Sequence, residues 1–154
     1  MTDKVFDPNT DSSWALGLFS EILTRMELVT RRADEISRLE SSLGVRVIRQ
    51  SVLEEISDDI ASNHTLWILV SHIKELDEKL MMTNFFEVDC QELSLVLKKS
   101  SSEMAHQVNM PNPRVTDWLS AKLSGLTELV PLVSCMQFKA LGAHHVAIIQ
   151  VIFF

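Results

Sequence analysis

The chain has 154 residues, enough for one domain with a buried core, and its 46% hydrophobic and 23% charged residues exclude a disordered polymer. Four Gly, four Pro, no Tyr and seven Met favour helices over a sheet rich in turns, so the expected fold class is all-α. A net charge of −7 without any basic stripe excludes nucleic acid as a direct partner, and it gives no attraction to the acidic surface of a microtubule.

Residues 1–11 are polar, include Pro8 and Asn9, and read as a disordered N-terminus. A helix is expected from Ser12, because Phe19, Ile22, Met26, Val29, Ala33 and Ile36 alternate in steps of three and four, the spacing of a packed seam. Gly44 supplies its stop, since glycine accepts the left-handed conformation just past a helix end. After a joint over Val45 to Gln50, Ser51-x-x-Glu54 has the form of a capping box, and Glu54, Glu55, Asp58 and Asp59 suit the positive end of a helix dipole. Val52, Ile56, Leu66, Val70, Ile73 and Leu80 form the apolar face of this second helix, which extends to about Met82 unless Asn63 breaks it.

Thr83 to Phe86 reads as a connection, and Asp89-x-x-Glu92 as a second capping box. The third helix spans Cys90 to about His106 with Leu93, Val96, Leu97 and Met104 inward, its centre weakened by Ser100, Ser101 and Ser102. Asn109 to Pro113 is a loop in which Asn112 caps and Pro113 takes the first helical position, where its missing N–H costs nothing. The fourth helix carries Val115, Leu119, Leu123, Leu126 and Val130 before Pro131, where a kink, a restart or a chain break is expected. The whole reads as an elongated antiparallel bundle of about four to five helices.

Catalytic patterns are missing from the sequence. Gly17, Gly44, Gly125 and Gly142 approach neither a GxxxxGK[ST] phosphate loop nor a GxGxxG turn, so no nucleotide site, cofactor or small-molecule substrate is expected. His64 and His72 lie eight apart on similar helix faces and need distant ligands before they can hold a metal. His144 and His145 are adjacent, about 100° apart on a helix, a poor chelating geometry. Glu54-Glu55, Asp58-Asp59 and Asp77-Glu78 read as solvated helix positions. Cys90 and Cys135 lack a CxxC arrangement and read as free, half-buried thiols of a reducing compartment. No basic stretch leading into an apolar run opens the chain, so no secretory signal is read, and Val146–Phe154 is shorter than the ~20 residues a membrane span needs. Trp67 and Trp118 fall on apolar faces as core residues, whereas Trp14 at a helix start reads as an exposed anchor.

One ordered series of landmarks carries more. It runs Leu66-Trp67, Glu75-Leu76, Phe85, Val88-Asp89, Asp117-Trp118-Leu119, Pro131-Leu132 and Ala140-Leu141-Gly142-Ala143-His144-His145. In order and spacing this resembles the linker region of dynein heavy chains, the second conserved N-terminal segment before the motor ring. The match is best over residues 60–145 of a linker-like domain at 12–145. In that family a Leu-Trp is followed by a helix ending near a phenylalanine, then a short aspartate-led helix, a long helix reaching Pro-Leu, and an Ala-Leu-x-x-Arg-His-Trp motif. This chain departs from the pattern in two respects. It lacks the tryptophan often found beside the position of Leu80, and the last motif reads His144-His145-Val146, followed by an apolar non-family tail at 146–154.

The resemblance implies part of a rod-like lever that couples ATP-driven changes in the motor ring to movement along microtubules and is itself non-catalytic. The structural positions it carries over are Leu66, Trp67, Phe85, Asp89, Trp118, Pro131, Leu132, Ala140, Leu141 and His145. It also implies association with the motor ring, dynein intermediate and light chains and, indirectly, microtubules, with no membrane partner, in the cytoplasm or cytoskeleton of a ciliary axoneme. A family linker continues past this point, so the tail is expected to mark an alternative transcript end, a gene-model error or a truncated gene. The alternative is a free-standing spectrin-like helical-bundle adaptor whose seam at Phe19 to Ile36 binds a partner helix. A small helical enzyme using His144 and His145 ranks third.

Overall fold

A computed structural model describes residues 2–44, 51–84, 86–106 and 112–137. Four helices account for most of them: α1 (Ser12–Ser42), α2 (Ser51–Met82), α3 (Cys90–His106) and α4 (Pro113–Met136). With no strand among the described residues, the protein is an all-α helical bundle. The joint expected at Val45 to Gln50 and the tail at 146–154 lie outside the described residues, as do Asn109 to Pro111 of the loop before α4.

The helix ends follow local chemistry. Asp11 caps α1, its carboxylate accepting from the Ser13 N–H at 3.0 Å. At the other end Gly44 takes φ +71° and donates its N–H to the Ser41 carbonyl at 3.2 Å, the left-handed close expected of it. Asp89 caps α3 by accepting from the N–H groups of Gln91 at 2.8 Å and Glu92 at 3.1 Å. α4 begins at Pro113, directly after Asn112.

Two helices run further than their weak points suggest. α2 passes through Asn63 unbroken, and the Asn63 amide donates to the Asp59 carbonyl at 2.9 Å, so it is spent on the helix's own backbone. α4 passes through Pro131 to Met136 with neither restart nor break. The proline still removes the N–H that would bond to the Thr127 carbonyl, so the helix continues with one ladder bond missing. Ser100 to Ser102 likewise do not interrupt α3, in which Ser100 turns inward and its two neighbours outward.

The N-terminus is ordered where disorder was expected. Thr2–Phe6 forms a 3-10 turn, Asp7 and Thr10 continue it with backbone bonds to Lys4 and Asp7, and the Thr10 hydroxyl donates to the Lys4 carbonyl. A distant residue explains why. Asn112, almost fully buried, donates its amide N–H to the Val5 carbonyl at 3.1 Å while its side-chain oxygen accepts from the Val115 N–H at 3.4 Å.

The chain falls into two compact units. One gathers the described parts of residues 1–71 and 107–116, with Val5, Ala15, Phe19, Leu66, Trp67, Leu69, Val70 and Val115 buried. Burial at the start of α1 and at the far end of its share of α2 is the pattern an antiparallel pair produces. The other gathers the described parts of residues 72–106 and 117–154, with Ile73, Leu93, Leu97, Leu119, Leu123, Leu126 and Val133 buried.

Several expected core positions are exposed. Of the α1 seam only Phe19 is buried, while Val29 and Ile36 are open to solvent, as are Val52 and Ile56 on α2 and Val96 on α3. The periodicity is real, but no helix among the described residues covers those faces.

Two measurements check this account by urea unfolding. Asn112→Ala removes a cap and leaves the buried Val5 carbonyl unpaired, for an expected loss of about 2–3 kcal/mol, whereas Asn112→Ser keeps the cap and loses about 1–2 kcal/mol. Equal losses would place the whole effect in the bond to Val5, and a loss confined to the alanine variant would place it at the helix end. Pro131→Ala restores the bond to Thr127 at an exposed site and is expected to stabilise by about 1–3 kcal/mol; a destabilised variant would show that the proline shape is required.

Candidate functional surface

The predicted landmark residues divide by depth. Leu66 and Trp67 are fully buried in the first unit, next to Leu69 and Val70. Their positions on α2 follow from spacing: Leu66, Val70 and Ile73 repeat at four and three, and Trp67 lies one step round on the same side. Asp89 is exposed and acts as a helix cap. Pro131 and Leu132 lie exposed near the end of α4, with Leu132 60% accessible. Phe85, Ala140, Leu141 and His145 fall outside the described residues.

Trp118 is half-buried in the second unit, where the Lys74 ammonium lies 5.7 Å from its ring centroid, within range of a cation–π attraction. One turn along α4 the Lys122 ammonium bonds the Asp77 carboxylate at 2.7 Å. These two pairs, Lys74 with Trp118 and Asp77 with Lys122, link α2 to α4 twice along the same edge. Both partners of the ion pair are partly exposed, so solvent screens it and its contribution is small.

A third polar tie closes the end of α4. The Gln137 amide donates to the Val88 carbonyl at 2.7 Å, and the Cys90 thiol donates to the Gln137 oxygen at 3.5 Å. Cys90 is thus half-buried as expected, whereas Cys135 is exposed because it lies on the outer side of α4. Beside this tie an open groove of about 530 Å³ is lined by Cys90, Ser94, Leu95, Val130, Pro131 and Ser134, among others.

These ties were invisible in the sequence. Lys74, Asp77, Lys122 and Gln137 are ordinary polar helix residues, and their partners lie 44 to 49 positions away. No local spacing announces such a pair.

Among the described residues, no three His, Cys, Asp or Glu side chains group closely enough to hold a metal ion. His64 is half-buried and His72 exposed, each on α2. Among the same residues no helix is long and apolar enough to cross a membrane. In comparisons with protein families, known proteins and solved structures, nothing matches this chain.

The depths of the two tryptophans give a direct check. Trp67→Ala is expected to cost about 3–5 kcal/mol, as for other large core truncations, and Trp118→Ala about 1–2 kcal/mol because its ring is already partly wet. Chemical denaturation followed by far-UV circular dichroism measures both. A Trp118 variant as damaged as the Trp67 variant would mean that the edge formed with Lys74 and Lys122 governs the second unit.

Proposed function

We propose that this chain is a non-catalytic part of a dynein heavy chain linker, the mechanical element that couples ATP-driven changes in the motor ring to movement along microtubules. What supports the reading is the order of the landmarks together with their roles in the helices. The Leu66-Trp67 pair is the buried heart of α2, Asp89 opens a short helix of 17 residues, and Pro131-Leu132 lies near the end of the longer α4. A lever needs helices that keep their length and a stable core, and it needs no reactive group of its own.

On this reading the hydrolytic chemistry belongs to the ring, and the partners are those of the parent motor: the ring, intermediate and light chains and, through them, the microtubule. The setting is the cytoskeleton, and the ciliary axoneme in particular. His144-His145-Val146 stands where the family carries Arg-His-Trp, and the apolar stretch to Phe154 stands where the family pattern goes on.

Long-read sequencing of the transcript across the codons for Ala140 to Phe154 tests the proposal. The expected result is a frame that continues through an Arg-His-Trp-like motif toward a phosphate loop. Reads dominated by a stop codon directly after Phe154 would overturn the motor reading and leave a short helical protein to be explained on its own terms.

A further inference from the structure

The groove beside Cys90 takes its two walls from α3 and α4 of the second unit. On α3, Cys90 with Ser94 and Gln91 with Leu95 form two adjacent rows, each pair being four residues apart. On α4, Val130 with Ser134 forms one row and Pro131 lies beside it. Leu95 is 68% accessible, so the described chain leaves this wall uncovered. Among the described residues that line the groove none is charged, in a chain of which 23% is charged.

That neutrality narrows the occupant. A basic or acidic partner finds no counter-charge here and has to shed water from its own charges to enter. A neutral apolar segment has no such cost. The chain carries one beyond α4: in Val146 to Phe154 only Gln150 is polar, and no residue is charged. Left in water, an uncharged run of this kind is prone to aggregate.

The chain also delivers this segment to the groove. Gln137 follows α4 directly and bonds both Val88 and Cys90, so the path beyond α4 starts beside a residue of the groove wall. Nine positions separate Gln137 from Val146 and can span up to about 30 Å, whereas the wall from Cys90 to Leu95 is only about 8 Å long. A short tether of that reach holds the segment at an effective concentration of order millimolar, against which a dilute outside partner of the same chemistry competes poorly.

We propose that residues 146–154 are an internal ligand of this groove. They dock between α3 and α4, set apolar side chains on Leu95, Val130 and Pro131, and shield the Cys90 thiol from solvent. The inference concerns the 154-residue chain itself and does not rest on the linker reading, which transcript sequencing can overturn separately.

The two cysteines give a test with a built-in control, since Cys90 lines the groove while Cys135 is exposed and does not. The full chain is labelled with N-ethylmaleimide, and the rate at each cysteine is read by peptide mass spectrometry. Beside it stand a tail variant carrying Ile149→Asn and Phe153→Asn, and a groove variant carrying Leu95→Gln at an exposed position. Each variant is expected to label Cys90 at least about tenfold faster than the wild-type chain, because the protecting segment is released. The Cys135 rate and the helical circular dichroism should stay unchanged, which separates release of the tail from unfolding. The wild-type Cys90 rate should also be independent of protein concentration, as a tethered ligand requires. A Cys90 that labels as fast as Cys135 in the wild-type chain overturns the proposal. So does a Cys90 rate unchanged in either variant, or protection that fades on dilution, which would assign the groove to a second copy of the chain.

Discussion

The side-chain amide of Asn112 settles where the fold begins. Buried almost completely, it must use its hydrogen-bonding groups on protein partners, because no water reaches it to replace them. Its oxygen fixes the first turn of α4, and its nitrogen draws the Val5 carbonyl onto that same turn. The start of α4 then determines the phase of Val115, Leu119, Leu123, Leu126 and Val133, the row by which that helix is buried. A shift of one residue would turn that row by about 100° and expose it.

Polar ties of this kind carry more of the second unit's specificity than of its stability. Lys74 on Trp118, Asp77 with Lys122, and Gln137 across Val88 and Cys90 each fix one helix relative to another at a stated height. Leucine rows can slide by a turn at modest cost, since one leucine resembles the next. A carboxylate that finds its lysine at one height and not at the next removes that freedom, even when solvent screening keeps the pair weak.

Helix ends were legible in the sequence because their chemistry is local. Gly44, Asp89 and the Asn112-Pro113 pair act on backbone groups two or three residues away, and α1 stops and α3 and α4 start where those residues stand. Burial was not legible to the same degree. Phe19 and Ile36 belong to one apolar rhythm, but whether each is covered depends on chain far away in sequence. The same reason hid the order of residues 2–6, whose polar composition says nothing of an asparagine over a hundred positions later. Pro131 neither restarts nor breaks α4, because at an exposed position near a helix end a missing bond is tolerated by the turns on either side. Of the landmark positions, burial picks out Leu66 and Trp67 as core, while Asp89 and Pro131 act through the backbone.

The acids at the start of α2 have a thermodynamic side. Glu54 and Asp58 are four residues apart, as are Glu55 and Asp59, and all four are exposed. Like charges at that spacing repel by a few tenths of a kcal/mol per pair, roughly as much as opposite charges attract, while each acid also gains from the positive end of the helix. The opening turns of α2 thus sit near an electrostatic balance point. Moderate salt quiets the repulsion and the dipole together, so the ionic strength of the medium changes this helix start far less than its dense charge suggests.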